Sequence, residues 1–269
     1  MAEPRRQYLD GRFGQVHVRV AAPVRAECRP LVCLHMFPQS GRSFENFARA
    51  ASTRRQIVVP DFPGYGESDS PGKPIAADDY ARSVWEVVDA LNLTAGWESI
   101  DLFGIHAGAK IAAIAAYQRP DAVHRMILAS AAVLTDAEVA YLRERLSALP
   151  LDEDGSRFRA LWQMVERNRG PGMTLEMAAT ALAEILRGGE RYAWGHQAVF
   201  DFNERFAALL GELPHPIVLL NPNDDLYEKT PRTSDYLRNG RLIDRPGWGH
   251  GFLDVFPAEV AATVEAALC

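Results

Sequence analysis

Cysteine is scarce in this sequence: Cys28, Cys33 and Cys269 are the only three, and none stands in a C-x-x-C pair. Nothing therefore supports a disulfide framework, and a cytoplasmic, reducing compartment is the expected setting. No stretch approaches the roughly 20 apolar residues of a membrane span, so no membrane partner is expected. The start, Met1-Ala2-Glu3-Pro4-Arg5-Arg6, has two basic residues but no apolar segment behind them, and no signal peptide is expected. Positive charge is in deficit, with a net charge of −6 and no lysine- or arginine-rich block, which argues against a nucleic-acid partner. Internal repeats and low-complexity tracts are missing too. What remains is an ordinary globular composition, 48% apolar and 24% charged. The 269 residues suffice for a substantial core, and at this length one α/β core with an insertion is as natural as two domains.

Strand and helix signals alternate along the chain. Residues 6–22 predict a hairpin, with Gln7-Tyr8-Leu9, a turn at Asp10-Gly11 and the alternating Val16-His17-Val18-Arg19-Val20. Short apolar runs at 31–34, 57–59, 100–103 and 126–128 predict buried parallel strands, with helices over 44–51 and 80–91 between them. From about 133 to 213 only helices are predicted. One opens with the capping box Thr135-Asp136-Ala137-Glu138, and others cover roughly 155–168, 174–187 and 191–210. Strands return at 217–220 and 241–243, and an amphipathic helix over 258–268 follows. The organisation expected is a first core segment 1–132, a helical lid 133–213 and a second core segment 214–269.

The most informative segment is Gly104-Ile105-His106-Ala107-Gly108. It lies between an apolar strand and a helix of small residues, the context that a G-x-S-x-G nucleophile elbow requires, but its central residue is histidine. Other motifs surround it in order: His35-Met36-Phe37-Pro38 after the strand at 31–34, then Asp61-Phe62-Pro63-Gly64-Tyr65-Gly66-Glu67-Ser68. Asn223-Asp224-Asp225 follows the strand at 217–220, and Gly247-Trp248-Gly249-His250 follows the last strand. In this order and spacing the chain resembles α/β-hydrolase-fold proteins of the epoxide hydrolase, haloperoxidase and C–C hydrolase type, over essentially its whole length. The resemblance implies an α/β fold with a mostly parallel eight-stranded sheet, helices on both faces and an inserted helical lid.

It also implies roles. His250 would be the base, and Asp225, rather than its neighbour Asp224, would hold its other ring nitrogen and stabilise the imidazolium. The backbone N–H groups of Phe37 and Ala107 would form the oxyanion hole, with Met36 standing where related proteins carry glycine. His106 has three readings: nucleophile, acid/base or positioning group in an enzyme, or residue of a site that only binds.

Some alternatives are set aside. Gly64-Tyr65-Gly66 lacks the G-K-[ST] of a phosphate loop. Ser40 and Ser43 have no elbow around them and suit a helix N-cap. A metal on His35, His106, His250 and Asp225 is conceivable from the donor types, but neither a metal nor a cofactor is expected. The lid aromatics Trp162, Tyr192, Trp194, Phe200, Phe202 and Phe206, with His196 among them, are mostly lid core. His35, Met36, Trp162 and Trp194 are expected to line the pocket. The expected function is that of an enzyme acting on a small hydrophobic carbonyl compound such as an ester, lactone or diketone, with a homodimer as the one macromolecular partner entertained. Lyase-, isomerase- or oxygenase-like base chemistry and inactive ligand binding stand as alternatives.

Overall fold

The computed structural model describes residues 2–147 and 150–268. Strands β1 (Arg5–Gly11) and β2 (Gly14–Ala21) form the N-terminal hairpin, whose turn lies at 12–13, two residues beyond the position predicted. Strand β3 (Leu31–Leu34), a short 3-10 turn, helix α1 (Glu45–Ala51), strand β4 (Ile57–Pro60) and helix α2 (Ala77–Ala90) follow. The centre is strand β5 (Ile100–Ile105), helix α3 (Ala107–Gln118) and strand β6 (Val123–Ala129). Five helices come next: α4 (Asp136–Arg145), α5 (Ser156–Arg167), α6 (Leu175–Arg187), α7 (Trp194–Asp201) and α8 (Asn203–Glu212). Strands β7 (Ile217–Pro222) and β8 (Gly240–Arg245) and helices α9 (Phe252–Val255) and α10 (Pro257–Leu268) close the described chain. No described helix is long and apolar enough to cross a membrane.

The eight strands form one sheet in the order β1-β2-β4-β3-β5-β6-β7-β8, antiparallel at β1-β2-β4 and parallel from β4 onward. Strands β3 to β5 are buried along their whole length, as a sheet covered on both faces requires, which is why they read as unbroken apolar runs. Helix α2 turns Tyr80, Ala81, Val84, Trp85 and Val88 inward at helical spacing, and the Trp85 indole N–H donates to the Ala115 carbonyl of α3 at 3.1 Å. Helix α3 is buried from Ala107 to Ala116, so only its run of small side chains lets sheet and helices close around it.

Register aligns the strand ends that matter. Leu34 pairs with Gly104, Ile105 with Ala129, and Ala129 with Leu220. The residues just after each strand therefore meet at one edge. The chain leaves β3 for β4 on one side and later enters β5 on the other, which opens a crevice at the ends of these strands.

The helical segment between β6 and β7 packs in two ways. Leu161, Val165, Ala178, Ile185 and Tyr192 form a small core of their own between α5 and α6. Val199, Phe200, Phe202, Phe206 and Leu210 instead join the main core beside α3. The single helix predicted over 191–210 is two, α7 and α8, meeting at Phe202. The Thr135–Glu138 capping box closes as read from sequence.

Candidate active site

His106 occupies the turn between β5 and α3 with φ 51° and ψ −119°, a conformation that non-glycine residues adopt only under constraint. The constraint is tight packing. A Cβ on Gly104 would lie 2.3 Å from the Gly108 carbonyl oxygen, and one on Gly108 would lie 2.2 Å from that of Leu34. The His106 N–H donates to the Ala129 carbonyl at 2.9 Å, which pins the turn to β6. Ala107 opens α3, where a backbone N–H has no carbonyl partner within the helix.

The ring of His106 does not stand free. Its Nε2 lies 2.9 Å from Oδ2 of Asp224 and 3.9 Å from Oδ1 of Asp225. Asp224 is the inner carboxylate, its side chain 3% exposed. It also accepts from the Ser130 hydroxyl at 2.5 Å and from the Leu226 N–H at 2.9 Å. Burial opposes charge on the imidazole, yet the Asp224 carboxylate, its hydrogen bond and nearby Asp225 outweigh it, pushing His106 up to about 9. Burial likewise works against ionised Asp224, but the charge and hydrogen bond of His106 bring it below the usual carboxylate range. Both shifts favour the imidazolium–carboxylate form of the pair. The His106 Nδ1 has no hydrogen-bond partner among the described residues.

His250 sits across from it, the two rings stacked with centroids 5.5 Å apart. Its Nε2 lies 2.9 Å from Oδ1 of Asp225, whose side chain is 47% exposed, and this places Asp225 rather than Asp224 on His250. Burial would raise Asp225, but the His250 hydrogen bond and the charge of His106 drive it well down. The Asn223 N–H donates to the Trp248 carbonyl, so the loop carrying both aspartates is tied to the loop carrying His250. Two histidine–aspartate pairs thus face each other at the sheet edge.

Both pairs open onto a cavity of about 610 Å³, within the range of small-molecule sites. Met36, Phe37 and Ala107 line it, with Tyr192, His196 and Phe200 from the helical insertion above. His196 is pushed down to about 4, by burial and then by the charge on His106. Three of the expected pocket residues lie elsewhere. His35 is fully buried beneath the loop: its Nδ1 donates to the Met36 carbonyl at 2.9 Å and its Nε2 accepts from the Phe62 N–H at 3.0 Å. Those bonds require a neutral ring, and burial pushes it down to about 4. Its place is to hold the 35–38 loop against the 61–68 turn. Trp162 packs against the small core of α5 and α6, and Trp194 begins α7 outside the cavity lining.

Asp61 anchors the same turn. Fully buried, it accepts from His17 at 2.8 Å, Arg19 at 3.1 Å, and the N–H groups of Gly41 at 2.7 Å and Glu67 at 2.9 Å. Ser40 caps the short helix at 41–44 by accepting from the Arg42 N–H, while Ser43 bonds back to the Ser40 carbonyl.

His106, His250 and Asp225 offer ligand atoms within 4.8 Å of one another, a set that could hold a divalent ion. Metal bonds near 2 Å would draw these atoms closer together, and His106 would first have to give up its proton. The residues that sequence reasoning missed are Asp224 as partner of His106, and Ser130. The signals were present: two adjacent aspartates after β7, and a serine directly after the end of β6.

A family model for the alpha/beta hydrolase fold matches residues 29–162. A soluble epoxide hydrolase of Corynebacterium sp. strain C12 is 30% identical over 99 residues, covering 37% of this chain and 33% of that protein. The chain spans less than half the length of the curated relatives it matches. Among solved structures, a hydrolase from Pseudomonas aeruginosa superimposes with TM-score 0.80 at 20% identity, covering 98% of each chain. The enol-lactonase of Burkholderia xenovorans LB400 superimposes with TM-score 0.74 at 14% identity, covering 97% of this chain and 99% of that one. At such identities these superpositions establish the fold.

Proposed function

We propose that this chain, which belongs to the α/β-hydrolase-fold family, is a hydrolase of small hydrophobic esters or lactones that uses water, and not a side chain, as its nucleophile. The observation that carries this reading is the Asp224–His106 hydrogen bond. A nucleophilic imidazole needs an unprotonated ring nitrogen, and Asp224 keeps the proton on His106 at neutral pH. The elbow residue is then an acid.

The steps follow from the two pairs. The substrate carbonyl lies over the elbow with its oxygen toward the N–H groups of Ala107 and Phe37. His250 takes a proton from a water as that water attacks the carbonyl carbon, and Asp225 stabilises the imidazolium formed. The tetrahedral intermediate expels its alkoxide, which receives the proton of His106. Acid and alcohol leave, or a hydroxy acid from a lactone, and solvent carries a proton from His250 back to His106. The helical insertion acts as a lid whose Tyr192, His196 and Phe200 shape an apolar pocket.

Single-turnover hydrolysis of 4-nitrophenyl esters and simple lactones in H2(18)O, followed by mass spectrometry, tests this reading. Water attack puts label into the carboxylic acid product in the first turnover and leaves the elbow peptide at its unmodified mass. An acyl adduct on the 104–108 peptide would instead make His106 the nucleophile. Turnover of a ligand without incorporation of label would favour lyase-like proton abstraction by the same groups.

A further inference from the structure

Lys110 lies on α3 one turn beyond His106, lines the cavity, and is only 5% exposed. Its ammonium donates to Oδ1 of Asn203 at 3.0 Å and stands 5.0 Å from the centre of the Phe206 ring. Asn203 in turn donates from its amide nitrogen to the Leu134 carbonyl at 2.9 Å, which fixes its oxygen toward Lys110. Both partners are neutral. Among the described residues no carboxylate lies within ion-pair distance of Lys110.

That arrangement is costly for a packing residue. An ammonium buried without an anion loses hydration that an amide and a ring face restore only in part. Burial accordingly pushes Lys110 down to about 7. A leucine or methionine would fill the volume at no such cost. The acids of the site cannot supply the missing charge, since Asp224 is held by His106 and Ser130, and Asp225 by His250. The other lining carboxylates, Glu45, Glu176, Glu184 and Asp254, all reach solvent at least partly. Of the three ammonium hydrogens, Asn203 takes one, and Lys110 is among the residues that line the cavity.

We infer that Lys110 receives an anionic group of the substrate, so that the compound acted on is a carboxylate-bearing ester or lactone and not a wholly neutral one. The substrate class rests on the hydrolase reading above, whereas the anion site itself does not. One end of the ligand pairs with Lys110 and the carbonyl to be attacked lies toward His106, one helical turn away.

Calorimetric titration of the wild-type protein with 4-phenylbutyrate and with the neutral 4-phenylbutan-1-ol tests the site without any turnover. The acid should bind about 10- to 100-fold more tightly, the range of a hydrogen bond to a charged group. Lys110→Gln should bring that ratio close to 1, and Lys110→Arg should preserve most of it. Equal binding of acid and alcohol by the wild type would overturn the inference, as would failure of the acid to bind. A preference unchanged in Lys110→Gln would overturn it too, because the anion would then sit on His106. If Lys110→Gln does not fold, the nitrogen resonance of the Lys110 side chain in wild-type protein decides. It should move on adding the acid and not the alcohol, and no movement refutes the site. Because binding is read apart from chemistry, loss of the hydrolase reading and loss of the anion site give separate signatures.

Discussion

Replacing Asp224 by asparagine isolates the interaction on which the proposed acid role of His106 depends. Asparagine keeps the shape and an oxygen that can accept from Nε2, but removes the negative charge that holds the proton. With the carboxylate, His106 titrates at about 9 in place of its ordinary 6.5. Without it, burial is the dominant influence remaining, so His106 in Asp224→Asn should titrate at or below 6.5. At pH 7.5 the imidazolium-to-imidazole ratio would fall from about 30:1 to about 1:10. Hydrolysis at that pH should therefore fall about tenfold or more. The same interaction links to stability. His106 has a folded value above its unfolded one, so its contribution is complete below about pH 6.5 and is lost as pH rises through about 9. The span amounts to about 3 kcal/mol at roughly 1.4 kcal/mol per decade. Proton NMR of the His106 ring gives the titration directly, and urea unfolding between pH 6 and 10 gives the stability slope. A wild-type His106 titrating near 6.5, or equal pH slopes in wild type and Asp224→Asn, would refute the reasoning.

Other perturbations probe the remaining parts. His250→Ala should lower hydrolysis by about 10²- to 10⁴-fold, the ordinary worth of a general base, and near-normal rates would mean that another group activates water. Wild-type protein should resist fluorophosphonate labelling, while His106→Ser should acquire it at the elbow if Ala107 and Phe37 form an oxyanion hole; an unlabelled, folded variant would count against that hole. Gly108→Ala should cost about 3 kcal/mol or more in urea unfolding, because its Cβ would meet the Leu34 carbonyl oxygen at 2.2 Å. Dialysis against EDTA should leave hydrolysis unchanged; a loss restored by Zn²⁺ would instead place an ion on His106, His250 and Asp225.

The fold was legible in the sequence because its devices are local. A strand buried on both faces must be apolar along its length, so β3, β4 and β5 announce themselves. Gly104 and Gly108 mark the elbow because two backbones touch there, and the Thr135–Glu138 box marks the start of α4 through a hydrogen bond spanning three residues. His106, His250 and Asp225 were each recognisable from position in a motif. What they do to one another was not. Only the register that aligns the ends of β5, β6 and β7 brings Asp224 onto His106 and the Ser130 hydroxyl onto Asp224. The His106–Asp224 contact crosses more than a hundred residues of chain, and the proposed acid role of the elbow imidazole rests on it. Likewise, His35 and Trp162 are residue types that suit a pocket, and packing alone turned one under the loop and the other into the small core of the insertion. Lys110 makes the same point in reverse. On a helix surface a lysine is unremarkable, and it becomes a candidate anion site only because α3 is buried from Ala107 to Ala116, which strips water from an ammonium at the cavity wall.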